Sequence, residues 1–547
     1  MRSKTRKRVK IMLMLSMVCI IFTSCNPFYK KSGQLDSNSV SKNNQEGWKL
    51  DTSPITFDWY INYSWFGTKW GNNPVSKYVT QKTGVNLNFI TPSGDETEKL
   101  NTMITTGKLP DIITLGYYED GYTKVIKNKL VLPLDKLAEK YDTYFMKVAD
   151  KQKLEWYRQS DGYVYGYPNF SMPLKDINNF REEKPSNQTF LVRKDIYEAI
   201  GSPDMRTPEG FLSALEKAKK LFPIVNGQAL IPLGLHEFNN SGNLSLDSLL
   251  PNFLAVPWEK EGKIYDRITD SEYLKWLKTL RKANELGLLS KEVFVDRRSQ
   301  MEEKIAEGRY FAMLYQRTDM ATQQLKLYED DKNKIYIPIE GPSNSNLDPP
   351  TLSGDSVSGW TVTLISKNCK DPMRAIRFLS YLISEEGNKD LYLGIRDLSF
   401  EEVNGKEQFK PEVVDLLNKD IIAFENKYGA ANTYWMLLDS NLIEKWMPPE
   451  PEPLKLLEDW PRGKTYNFSV YDNLNNFGDS EESIAYSKIS SQWQNILKSL
   501  LISKSNKEFD VLLNGFLTYR EKEGYEKLVT YRQQKYEENK KKLNMNK

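Results

Sequence analysis

Residues 55–115 read ITFDWYINYSWFGTKWGNNPVSKYVTQKTGVNLNFITPSGDETEKLNTMITTGKLPDIITL, and the punctuation of this stretch decides the fold. Ile55 to Tyr60 is a short run of β-branched and aromatic residues, the composition of a buried strand. Val75 to Gln81 reads as a helix turning at Lys82-Thr83-Gly84, and Val85 to Ile90 as a second strand. Asp95 to Thr106 is an amphipathic helix with Leu100, Met103 and Ile104 on its apolar side, stopped by Gly107. Asp111 to Leu115 completes a βαβαβ series, which predicts a mostly parallel sheet covered by helices.

A second α/β series begins at Leu191-Val192-Arg193-Lys194-Asp195. Thr207 can cap a helix carrying Pro208 in its first turn, with Phe211, Leu212, Leu215, Ala218 and Phe222 recurring along one face. Arg309 to Tyr315 and Trp360 to Ile365 read as strands, and Asp371-Pro372 opens a helix that buries Ala375, Ile376, Leu379 and Leu382. After the stiff proline-rich segment Pro448 to Pro453 the chain is mainly helical to its end, and the Lys540 to Lys542 run reads as a solvated tail.

Outward in the other direction, residues 1–24 hold Arg2, Lys4, Arg6, Lys7, Arg8 and Lys10 and no acid, followed by the apolar run Ile11 to Phe22. A charged segment, a short apolar segment and a small residue at Ser24 form a secretion signal, too short to span a membrane. Cys25 directly after Ser24 is similar to the lipobox of bacterial lipoproteins, in which that cysteine is lipidated; Phe22 departs from the usual aliphatic residue three places before it. Cys369 is then a single thiol, read as structural, so no disulfide is expected. Asn26 to about Gly47, rich in Ser, Asn, Lys and Gln, suits a flexible tether.

Composition removes other classes. Lys+Arg (76) and Asp+Glu (73) nearly balance over 547 residues, and without the basic leader the remainder is net negative, so no nucleic-acid footprint exists. With one histidine, His236, read as a loop residue beside Asn239 and Asn240, histidine triads and multi-histidine metal sites lose their main components. Gly463-Lys464-Thr465 is similar to the end of a phosphate-binding loop, but Glu458 stands where its first glycine is required.

The order of segments resembles the family 1 extracellular solute-binding lipoproteins of ABC importers, in the large Gram-positive branch associated with oligosaccharides. The resemblance is carried by Trp59 to Phe89, GKLPDII (Gly107 to Ile113), YGYP (Tyr165 to Pro168), LVRKDIYEAIG (Leu191 to Gly201), GRYFAML (Gly308 to Leu314), Ser366 to Gly387, YGAANTYW (Tyr428 to Trp435) and Gly524 to Asn539. It implies a two-lobed α/β periplasmic-binding-protein fold of type II, each lobe a mostly parallel sheet flanked by helices, with a helical C-terminal region. Residues 51–165 and 366–440 would form one lobe, 166–365 and 441–547 the other, after a signal peptide at 1–24 and a lipidated tether at 25–50. The implied function is capture of an oligosaccharide between the lobes and its delivery to a membrane permease by a monomer held at the outer face of the membrane. It implies neither catalysis nor a cofactor. The alternatives are a peptide-binding or sensory surface lipoprotein of the same fold, and an extracellular glycoside hydrolase. Some relatives carry an acid-rich calcium loop after the helix corresponding to Pro208 to Leu221; here Phe222 to Gln228 has no carboxylate, so no metal is expected there. Asp331 to Ile335 lacks the required glycine and reads as a turn.

Ligands of open α/β sheets sit beyond the C-terminal ends of the strands. Asn62, Trp65 and Trp70 lie beyond the first strand, and Tyr117, Tyr118 and Glu119 beyond the third. The resemblance adds Trp360, which follows the glycine- and serine-rich Gly354 to Gly359, together with Tyr434 and Trp435; Arg396 and Asp397 are polar candidates. A pyranose presents a C–H face that an indole covers and a rim of hydroxyls that need partners, so aromatic faces bordered by Asp, Asn, Glu and Arg point to saccharides. Trp276, Trp446 and Trp493 read as packing residues.

Overall fold

The computed structural model describes residues 45–93, 96–173, 184–239, 242–475, 478 and 480–545. The signal and Cys25 lie outside them, as does most of the tether. Val40–Lys547 forms one compact unit, in which two sheets and their cores can be followed separately.

The first sheet contains β1 (Ile55–Ile61), β2 (Val85–Ile90), β3 (Ile112–Gly116) and β4 (Gly166–Pro168). The second contains β5 (Gln188–Arg193), β6 (Ile231–Leu235), β7 (Tyr310–Gln316) and β8 (Tyr336–Pro338). Two short strands, β9 (Leu352–Ser353) and β11 (Thr465–Tyr466), pair in parallel between them, and β10 (Thr361–Ile365) returns to the first sheet.

In the first sheet the order is β2-β1-β3-β10-β4. β1 pairs in parallel with β2 (Ile55 opposite Val85) and with β3 (Trp59 opposite Ile112). The connecting helix α1 (Pro74–Thr83) starts where the Asn73 side chain accepts the Ser76 N–H and stops at Gly84, φ 72°. A Cβ on Gly84 would stand 2.1 Å from the Thr52 carbonyl oxygen, so only glycine fits this stop.

The expectation of mostly parallel sheets is corrected. β10 runs antiparallel to both β3 and β4. In the second sheet, ordered β8-β5-β7-β6, only the β7–β6 pair is parallel. The cause is connectivity: β4 leaves the first sheet at the edge where β3 ends, and the chain comes back at that same edge, so β10 must run the opposite way. For the same reason β10, inside the stretch 166–365 expected for the other lobe, belongs with the first sheet, as does β4.

The cores divide likewise. Residues 48–167 and 357–446 pack as one hydrophobic cluster, whereas Phe190 to Leu352 forms others with the C-terminal helices α2 (Glu481–Ile502) and α3 (Asn506–Lys522). The final helix α4 (Tyr525–Lys542) touches both sides: Leu528 joins the second core and Tyr536 the first. Lys542, read from the sequence as part of a solvated tail, instead donates to the carbonyls of Trp156 and Arg158. Trp276 donates its indole N–H to Ser343 O at 2.8 Å and is fully buried, while Trp446 and Trp493 are also buried. Cys369 is a buried free thiol, and burial pushes its pKa up to about 12, which suits a packing role.

Candidate functional site

Parallel pairing of β1 with β3 delivers the residues after Ile61 and after Gly116 to one edge of the first sheet. The antiparallel pair Thr361–Gly116 brings Trp360 to that edge from the opposite chain direction. Gly359 just before it has φ 69°, and a Cβ there would meet the Asn169 carbonyl oxygen at 2.1 Å, so the turn into Trp360 requires glycine.

Four rings gather there. Trp65 stacks on Trp360 with centroids 5.9 Å apart and planes within 10°, and on Trp435 at 5.8 Å. Tyr63 packs against all three indoles, and Trp360 and Trp435 lie 4.5 Å apart. Trp65 is 56% exposed, Trp360 half-buried, and Trp435 only 5% exposed. The Trp435 indole N–H is buried and makes no hydrogen bond with any described residue.

Asn169, fully buried after β4, holds two of these rings in place. Its Oδ1 accepts the Thr361 N–H at 2.7 Å, its carbonyl oxygen accepts the Trp360 N–H, and its Nδ2 donates to Trp435 O at 3.2 Å. Asn169 escapes sequence reading because its partners lie some 190 and 266 positions away.

Carboxyl groups border the rings. Glu119 accepts the Gly116 N–H at 2.8 Å and the Asn62 amide at 2.6 Å, while the Tyr60 hydroxyl donates to Asn62. Burial raises the Glu119 pKa to about 7, partly opposed by the Gly116 and Asn62 bonds. Tyr118 is exposed and lies within hydrogen-bonding reach of Tyr63 and the Trp360 indole. Beside Tyr117, the Asp472 carboxylate accepts from Ser358 Oγ at 2.9 Å, with the Ser356 and Tyr117 hydroxyls as further donors; burial raises its pKa to about 6. Such perturbed carboxyls concentrate at functional sites. Asp472 comes from a segment with no local sequence signal, Ser356 and Ser358 lie inside the glycine- and serine-rich stretch before Trp360, and Tyr63 could have been found between Asn62 and Trp65.

Asn62, Trp65, Tyr117, Tyr118, Glu119, Trp360 and Trp435 therefore come together. Trp70 and Tyr434 lie behind them: Trp70 is 9% exposed and donates to Thr80 Oγ1 at 2.8 Å, and its ring packs on Tyr434 at 4.7 Å. Tyr434 is buried and accepts the Asn73 amide at 2.7 Å. Arg396 is committed to Glu402 and Glu407 on a surface hairpin, and Asp397 occupies the turn before it at φ 65°. These four residues are not part of the aromatic cluster.

At the second sheet, Arg317 follows β7, donates to Ser186 O at 3.0 Å and feels Glu458, Glu450 and Asp355. His236 lies in the loop after β6, as expected, and is buried there, its ring stacked on Tyr315 at 3.9 Å and its Nε2 accepting the Gln316 N–H. That environment makes it a packing residue. Phe222 to Gln228 closes as a two-residue Asn226-Gly227 hairpin, both at positive φ. Asp331 caps the turn at Asn333. Among the described residues no three His, Cys, Asp or Glu side chains gather to hold a metal ion, and no helix is long and apolar enough to cross a membrane.

Known proteins fit this architecture. The fructooligosaccharide ABC transporter substrate-binding protein FusA of Streptococcus pneumoniae is 27% identical over 41% of this chain and 43% of its own length. Lipoprotein LipO of Bacillus subtilis is 21% identical over 57% of this chain and 60% of its own, so the chain spans about half the length of these curated relatives. The crystal structure of alginate-binding protein AlgQ2 without calcium ion superposes with a TM-score of 0.67, covering 90% of this chain and all of that one at 17% identity, which establishes the shared fold. The family described as bacterial extracellular solute-binding protein matches residues 75–400, more than half of the sequence, and this chain belongs to it.

Proposed function

We propose that the chain is the substrate-binding lipoprotein of an ABC importer and captures an oligosaccharide at the aromatic edge of the first sheet. The observation that carries this reading is the exposed indole of Trp65, backed by Trp360, Tyr63 and Trp435 and bordered by Glu119, Asn62 and Asp472. A soluble protein seldom leaves a tryptophan face open beside buried hydrogen-bonding groups, and a sugar ring satisfies both. The name of FusA supports the same substrate class. In this reading residues 51–168 and 360–440 form one lobe and most of 184–352 with the C-terminal helices the other, and they close on the ligand about the crossings near β4, β9, β10 and β11. The protein performs no chemistry on its cargo; it passes the cargo to permease subunits. A signal peptide ending at Ser24 and a lipid on Cys25 hold it, as a monomer, at the outer face of the membrane, a reading supported by LipO.

A thermal-shift screen of residues 26–547 against oligosaccharides tests the proposal. A ligand at 100 times its Kd that binds only the folded state adds about 2.7 kcal/mol. A screen in which no saccharide raises the melting temperature contradicts it.

A further inference from the structure

The second sheet has a polar group at its own edge. β6 and β7 run in parallel, Leu235 opposite Leu314, so the residues after both strands emerge on one side, and Arg317 directly follows β7. Its backbone N–H bonds to Asn187 O at 2.8 Å, and its Nε donates to Ser186 O at 3.0 Å. Ser186 in turn donates its hydroxyl to Ser353 O in β9 and its N–H to Thr465 Oγ1 in β11. Arg317 is thereby pinned to the crossing from which Gly354 to Trp360 leads into the aromatic cluster. Asp355 lies on that segment just after Ser353, and Ser356 and Ser358, which follow it, hold Asp472 beside Tyr117.

Neither charge is matched by the protein. The Nη1 and Nη2 groups of half-buried Arg317 bond to no described residue. Burial lowers its pKa, and Glu458, Glu450 and Asp355 oppose that shift without forming an ion pair with it. Asp355 makes no hydrogen bond or ion pair among the described residues, and the cation next to it, Lys184, is held by Glu444 at 3.5 Å. Asp355 is exposed, yet burial raises its pKa; Tyr118 in the aromatic cluster shows the same combination. A group that solvent reaches although protein crowds it stands on the wall of a cleft. Holding a partly desolvated guanidinium without a partner is unfavourable for the empty protein. Its planar fork presents donors spaced for neighbouring hydroxyls of a sugar ring, and a carboxylate beside it supplies an acceptor.

We propose that Arg317 and Asp355 form the second wall of the saccharide site, Arg317 donating to two adjacent hydroxyls and Asp355 accepting from another, on the sugar unit next to the one on Trp65. This inference rests on the oligosaccharide reading above and names the residues through which the second sheet takes part.

Calorimetry and melting curves of the wild type, Arg317→Gln, Asp355→Ala and, for reference, Trp65→Ala test it against a panel of fructo-, gluco-, galacto- and manno-oligosaccharides. The expected result is a Kd raised about ten- to hundredfold in Arg317→Gln and about tenfold in Asp355→Ala, with little change in melting temperature, since each substitution removes a charge that the empty protein leaves unpaired. A purely structural role would lower the melting temperature and leave the folded fraction binding normally, and that result overturns the proposal. Wild-type affinity in both variants, with binding lost in Trp65→Ala, overturns it too and leaves the oligosaccharide reading intact. Recovery of affinity when Arg317→Asp is combined with Asp355→Arg also overturns it, because the two residues would then pair with each other on closure rather than with a sugar. Failure of every saccharide to bind the wild type overturns both readings.

Discussion

Replacing Trp65 and Trp70 separately with alanine separates a ligand platform from a core residue only five positions away. Trp65 leaves 56% of its surface open. For a side chain of roughly 250 Å², a sugar ring covering that face removes about 120 Å² from water, worth about 3 kcal/mol gross. After binding costs, truncating such an anchor is expected to weaken affinity by about 2 kcal/mol, roughly thirtyfold in Kd. Its packed face contributes at most about 2 kcal/mol to folding, because the unfolded chain already shields part of it. Trp70 is 9% exposed, with its N–H on Thr80 and its ring against Tyr434. Trp70→Ala leaves a cavity and an orphaned hydroxyl, and costs about 3–5 kcal/mol of stability. Melting curves and calorimetry with the tightest saccharide of the screen provide the two readouts. Trp65→Ala should lose binding with a modest change in melting, and Trp70→Ala should melt much lower yet bind normally while folded. If Trp65→Ala binds like the wild type, or Trp70→Ala loses binding without losing stability, the assignment of the platform is wrong.

Asn169→Ala removes the amide joining the backbones of Thr361 and Trp435; it should cost about 1–3 kcal/mol in a denaturation curve and weaken saccharide binding as well. Burial raises Asp472 to about pH 6, above its unfolded value of about 3.9, so its proton-linked stability is complete below about pH 4 and is lost as pH rises through 6. The melting temperature of Asp472→Asn should therefore gain on the wild type between pH 4 and 7, by an amount equivalent to about 2–3 kcal/mol, and a gap that does not change with pH contradicts the shift. Small-angle scattering should record a smaller radius of gyration at saturating saccharide, since crossings between rigid sheets permit hinge closure; an unchanged value argues for a preformed site. Cys25→Ala should release the protein from membranes or stall its processing, and an unmodified N-terminus on freely secreted wild type contradicts lipidation.

The α/β layering was readable because it depends on local patterns. Asn73-Pro74 and Gly84 bracket one helix, Thr207-Pro208 and Asp371-Pro372 start others, and apolar runs such as Ile112 to Leu115 are buried throughout. Strand direction was less readable, because it depends on where the chain leaves and re-enters a sheet: β10 looks like any buried strand, and its antiparallel course follows from the crossings alone. The site divided in the same way. Residues directly beyond strand ends, Asn62, Trp65 and Tyr117 to Glu119, follow from topology. Trp70 differs from Trp65 through a helix-facing partner, Thr80, that composition does not reveal. Asn169 and Asp472 act across roughly 110 to 360 positions, beyond any local motif.

A crystal structure with the tightest-binding oligosaccharide of the screen tests the central claim most directly. The account predicts a sugar ring lying on the open face of Trp65, with hydroxyls within hydrogen-bonding distance of Glu119 or Asp472 and both sheets' edges drawn toward it. A saccharide bound away from Trp65, Trp360 and Trp435, with these rings still stacked on one another and open to solvent, would contradict it.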